Sequence, residues 1–161
     1  MLPIKTIIDC MLDYGINLNG VLSRYESYDK DMQAKTLAAY SIIYLDDIIS
    51  KTDRNDINFN NTIKNLLHLK AEFQCMLDIN PYHTIKEGLL YELENIHSIN
   101  IYKTVTIKTW HEDVCRACRK YKDKKIDLEK AIREQPIPAP TCSNKLRGGK
   151  FGFCTCSYMP E

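Results

Sequence analysis

The chain has 161 residues, of which 44% are apolar and 27% charged, with a formal net charge of +1. That length supports one hydrophobic core rather than two, and that apolar share excludes a chain disordered throughout. No stretch approaches the roughly 20 apolar residues of a membrane span, and Met1–Ile8 lacks the apolar core and cleavage pattern of a secretory leader, so the expected setting is soluble and intracellular.

The first predicted element is a helix ending in a loop over Thr6–Asn19. Ile7, Ile8, Met11 and Leu12 share one helical face. Gly15 can take the left-handed conformation that stops a helix, and Asn17 and Asn19 suit a tight loop. Val21–Tyr28 predicts no more than a partial turn. Met32–Ser50 predicts a long helix, with an apolar stripe through Leu37, Tyr40, Tyr44, Leu45, Ile48 and Ile49. A polar connector over Lys51–Asn58 follows. Asn61–Leu77 predicts the next helix, which Asn80-Pro81 closes, because the residue before proline avoids the helical region. Thr84-x-x-Glu87 reads as a capping box for a further helix carrying Ile85, Leu89, Leu93 and Ile96. Gly88 weakens that helix and marks a close helix crossing. These two helices are expected to point nine large apolar residues into one shared interior.

Asn100–Lys108 alternates Ile101, Val105 and Ile107 with polar residues, as a strand would. With no second strand visible to pair with it, an extended connector packed on helices is expected. Thr109-x-x-Glu112 reads as a second capping box, opening a helix to about Lys124 with Trp110, Val114, Ala117, Cys118 and Tyr121 inside. Ile126–Glu134 predicts a last helix. Beyond it, P-I-P-A-P holds the chain extended, and the Gly- and Cys-rich remainder predicts a loosely ordered tail. The fold class expected is all-α: a helical solenoid end continuing into a small bundle.

Seven cysteines in a reducing compartment read as free thiols or metal ligands, and the odd number argues against a complete disulfide set. Cys10 and Cys75 fall in helical stripes and read as core. His111, Cys115 and Cys118 fall at i, i+4 and i+7 and can face one point on a helix. Cys154 and Cys156, with Cys142 in reserve, can close a tetrahedral zinc site with them, since thiolate and imidazole are the donors zinc prefers. Plain buried thiols are the competing explanation. No cofactor other than this structural zinc is indicated. No paired carboxylates, activated nucleophile or metalloprotease motif is present, so no enzyme is expected.

Charge is unevenly spread. Residues 1–102 hold 9 Lys/Arg against 14 Asp/Glu, whereas residues 103–161 hold 13 against 7. Arg116, Arg119, Lys120, Lys122, Lys124 and Lys125 lie beside Trp110 and Tyr121 and can neutralise phosphates.

Thr6–Asn19 resembles the second helix and exit loop of an ankyrin repeat, L-L-x-x-G-A-x-V-N, with Ile16 for the family's Ala and Asn17 for its Asp. Further on, Ala39–Leu45, Tyr91–Ile101 and Ile107–Val114 resemble the helical region that follows the last repeat in poxvirus ankyrin-repeat proteins. The family's F-box-like terminus, L-P-x-E-I, is absent, so its cullin recruitment is not implied. The resemblance implies a degenerate ankyrin-like helix and loop over residues 1–22 and a helical domain over 23–134, followed by a Pro/Gly/Cys-rich tail over 135–161, and the chain after Lys120 looks foreign to the family. It implies a viral protein or its truncated remnant, binding a host protein in the host-cell cytoplasm through protein–protein interaction without catalysis. The rival reading from the residues is a small zinc-stabilised nucleic-acid-binding regulator.

Overall fold

Among the described residues, apolar side chains recurring every three to four positions build three long helices ahead of the first strand. A computed structural model describes residues 30–109, 115–146 and 149–161. The predicted helix over Thr6–Asn19, the turn over Val21–Tyr28, and Cys10, Trp110 and His111 lie outside them.

Helix α1 runs Lys30–Lys51, α2 Phe59–Met76 and α3 Tyr82–Ser98. Inside α1 are Ala34, Leu37, Ala38 and Leu45. Ser41 joins that face because its hydroxyl donates to the Leu37 carbonyl at 2.8 Å, which satisfies it internally. Tyr40 faces outward instead, so the inner stripe is narrower than the sequence pattern implies. The connector to α2 is shaped by Asp53 and Asp56, whose carboxylates accept from the backbone N–H groups of Asn55 and Asn58. Lys70 of α2 pairs with Asp46 of α1. At the start of α3 the capping box does not form. The helix begins earlier, at Tyr82, whose N–H donates to Asn80 Oδ1 at 3.0 Å, and Thr84 is buried within the first turn.

The expectation of an all-α fold is overturned by a three-stranded antiparallel sheet ordered β2-β1-β3. Strand β1 is Thr104–Thr109, β2 is Lys125–Asp127 and β3 is Cys156–Pro160. The expected connector is therefore the central strand. Val105 pairs with Ile126 on one side, and Ile107 with Tyr158 on the other. Both partners are hard to see in sequence: β2 is three residues long, and β3 lies in the segment expected to be loose. That segment is instead part of the core, with Phe153 and Tyr158 each 2% exposed. Strand β1 supplies the apolar surface that holds it.

The predicted helix from Thr109 to Lys124 is also corrected. Thr109 ends β1, and among the described residues of that span only Arg116–Arg119 is helical, as α4. The chain then turns back along β1, with the Asp123 N–H donating to the Ile107 carbonyl at 2.9 Å. Helix α5, Leu128–Glu134, is capped by Asp127, whose side chain accepts from the Lys130 N–H. It ends at Gln135 in the left-handed conformation, φ 42° and ψ 65°.

The interior is divided in two. Leu37 and Leu45 of α1 meet Ile63, Leu66, Leu67 and Phe73 of α2. On the other side of α2, Ala71 and Cys75 join Ile85, Leu89, Leu93 and Ile96 of α3 against β1, β3, α5 and the cysteine-bearing loops. The nine residues expected to share one interior are thus split: α2 shows different faces to different neighbours, and Leu77 is half-buried at its end. Among the described residues no helix is long and apolar enough to cross a membrane.

Candidate metal centre

Antiparallel pairing brings distant cysteines together. Thr109, the last residue of β1, lies opposite Cys156, the first of β3. The chain leaving β1 towards Cys115 and the chain entering β3 from Cys154 therefore occupy the same end of the sheet.

Cys115 is the residue before α4, with φ −55° and ψ 145°, and its sulfur accepts the Cys118 N–H at 3.3 Å. The Cys115 carbonyl accepts from the N–H groups of both Cys118 and Arg119 at 3.0 Å. The C-x2-C pair thus sits on a tight turn at the head of a one-turn helix. Sequence periodicity had put it in the middle of a long helix.

Cys142 and Cys154 are joined by a close backbone crossing. A Cβ on Gly152 would lie 2.0 Å from the Cys142 carbonyl oxygen and 2.9 Å from its carbonyl carbon, so only glycine fits there. Next to it the Phe153 N–H donates to the Asn144 carbonyl at 2.7 Å, and the Phe153 ring meets His68 edge-on at 5.2 Å between centroids. The loop is fixed by main-chain bonds and by one buried aromatic anchor.

Five thiols converge as a result. The sulfurs of Cys115, Cys118 and Cys142 lie within 4.8 Å of one another, as do those of Cys118, Cys154 and Cys156. Cys118 belongs to both groups and is fully buried. Cys115, Cys154 and Cys156 are also buried, and Cys142 is half-buried. All are free thiols. The cluster lies within metal-binding distance and is compatible with a structural metal ion. Its protonation is unequal in a way that follows from crowding. Cys142 first, then Cys154, Cys156 and Cys115, hydrogen-bond to the Cys118 sulfur and hold it well below the usual thiol range. The Cys118 sulfur in turn pushes Cys142, Cys154 and Cys156 up, and burial adds to each. Five anions cannot share this space without a cation among them.

Of the residues expected to bind metal, Cys115, Cys118, Cys154 and Cys156 come together, and His111 lies outside the described residues. Cys142, the reserve, is a full member. Sequence reasoning missed two supporting residues. Gly152 holds the crossing described above. Glu92, 8% exposed on α3, accepts from Lys64 Nζ at 2.5 Å and from the Tyr158 N–H at 2.7 Å, tying α2 and α3 to the outer edge of β3. Its signal was an acidic residue on the same helical face as Ile85, Leu89 and Ile96.

The arrangement defines a class: a small mixed helix-and-sheet protein whose C-terminal half is gathered around a cluster of cysteines. Comparison with family models, curated proteins and solved structures returned no match.

Proposed function

We propose that the chain is a non-catalytic binding module whose C-terminal half is held by one structural zinc ion. The observation that carries this reading is the convergence of five thiols from three places in the sequence, 115–118, 142 and 154–156. Four soft donors in a tetrahedron are what zinc takes in closed structural sites. Cys118 is the one thiol that belongs to both groups, so it is the ligand expected at their junction. The backbone crossing at Gly152 and the N–H bond to Cys115 pre-set positions that metal binding would lock, so binding free energy becomes folding free energy.

The surroundings favour structure over catalysis. A cleft of about 380 Å³ opens beside Cys154 and Cys156, and Glu92 is the carboxylate that lines it. Both Glu92 oxygens are already engaged, one by Lys64 and one by the Tyr158 N–H, so neither is poised to move a proton. The partner expected from the poxvirus likeness, a host protein, rests on that likeness alone.

Metal analysis of the purified protein tests the proposal. One zinc per chain is expected, lost in Cys118→Ser and retained in whichever single Cys→Ser variant removes the fifth thiol. Protein that carries no stoichiometric metal when purified and takes up none when zinc is added would overturn it.

A further inference from the structure

The turn that carries Cys115 and Cys118 also carries the densest run of positive charge in the chain. Between residues 116 and 125 there are six basic residues and one acid, Asp123. The structure removes the acid from the balance: Asp123 Oδ1 is 3.0 Å from Lys108 Nζ. Lys125 is likewise occupied, 3.2 Å from Glu161. Arg116, Arg119, Lys120, Lys122 and Lys124 are exposed, and none of them makes an ion pair with a described residue.

These cations do not sit on a loose strand. One end of the run is fixed by the Cys115–Cys118 turn. The other is fixed by the exchange of hydrogen bonds between Ile107 and residues 123 and 124. Lys120 lies over the Tyr121 ring, 4.7 Å from its centroid. A groove of about 580 Å³ adjoins the run, where Tyr121, Lys124, Lys125 and Lys130 meet the acids Asp127 and Glu134. Asp127 is committed to capping α5. A repeating anion of low sequence demand, laid along a braced turn of exposed cations beside a groove, is the ligand this surface complements.

We propose that the exposed basic turn 116–124 and its adjoining groove bind the phosphate backbone of a nucleic acid. The inference deepens the proposed binding role and uses the metal centre only as the brace that holds the turn. Binding is electrostatic and positions a strand without reading its bases.

The test is fluorescence anisotropy of the full-length, zinc-loaded chain with labelled single-stranded RNA, single-stranded DNA and duplex DNA of mixed sequence, with polyglutamate as competitor. If all five cations contact a single strand, affinity falls about 100-fold between 50 and 200 mM salt, from a slope of about 0.7 per phosphate. Arg119→Gln/Lys122→Gln/Lys124→Gln removes three contacts and lowers the slope by about 2. The control Lys51→Gln/Arg54→Gln, at the end of α1 and in the connection to α2, leaves the slope unchanged. No binding at 50 mM salt, or binding indifferent to the triple variant, overturns the inference. Displacement by polyglutamate as effective as by unlabelled nucleic acid also overturns it and reassigns the surface to an acidic protein. Zinc content is measured on the same samples. One zinc without nucleic-acid binding sinks this inference alone, and nucleic-acid binding without zinc sinks the metal reading alone.

Discussion

Glu92 is the tie between the helices and the segment that carries the last two cysteines, and its removal has a calculable cost. One carboxylate oxygen accepts from Lys64 and the other from the Tyr158 N–H. Lys64 is about one-third exposed and can turn to water, so its share is that of a partly exposed ion pair, about 1 kcal/mol or less. Tyr158 is 2% exposed, and its N–H donates to Glu92 on the outer edge of β3. Leaving such a donor unpaired costs about 1–3 kcal/mol. Glu92→Ala is therefore expected to destabilise by about 1–4 kcal/mol. Glu92→Gln keeps an acceptor for Tyr158 and loses only the charge, about 1 kcal/mol. Urea unfolding of the metal-loaded protein, followed by circular dichroism, measures both. Equal losses in the two variants would refute the reasoning, because the buried N–H would then contribute nothing. A neutral Glu92→Ala would do the same.

Gly152→Ala is expected to abolish stoichiometric metal binding, because the clash is with backbone atoms of Cys142 and no side chain can move aside; metal titration checks it. Gly88→Ala is expected to stabilise by about 0.5–1 kcal/mol from helix propensity, with a rise in midpoint urea concentration. The added Cβ would meet Leu67 Cβ at 3.5 Å, an ordinary contact. Burial first, then the carboxylates of Glu72 and Asp78, push the Cys75 thiol from 9.0 up to about 11. In metal-free protein at pH 8, Cys75 should react with iodoacetamide more slowly in the folded chain than in the urea-unfolded chain, as peptide mapping would show. Because the folded pKa is the raised one, the stability tied to the Cys75 proton is intact below pH 9 and declines between pH 9 and 11.

Three of the helices were legible because their apolar stripes persist for four or more turns. Leu37, Leu66 and Leu93 report their faces regardless of what packs against them. The sheet was not legible because its information is non-local. Alternation at Val105 and Ile107 is plain, but the pairing that makes it a strand comes from Tyr158, some fifty residues away, and from a β2 too short to show a pattern. The supposed helix after Thr109 failed for a related reason. Cys115 adopts an extended conformation to aim its sulfur at the Cys118 N–H, and helical spacing cannot anticipate that. The cysteines themselves were readable as a group because C-x2-C and C-x-C are short-range signals. The part played by Cys142 depended on Gly152, whose lack of a Cβ lets the two chains cross.

Cobalt substitution examines the thiolate centre most directly. Loaded with Co(II) in place of zinc, the protein should show the intense charge-transfer and visible bands of a tetrahedral, sulfur-rich site at one equivalent, and Cys118→Ser should lose them. A pale octahedral spectrum, or bands that survive Cys118→Ser unchanged, would contradict a metal held at the junction of the two cysteine groups.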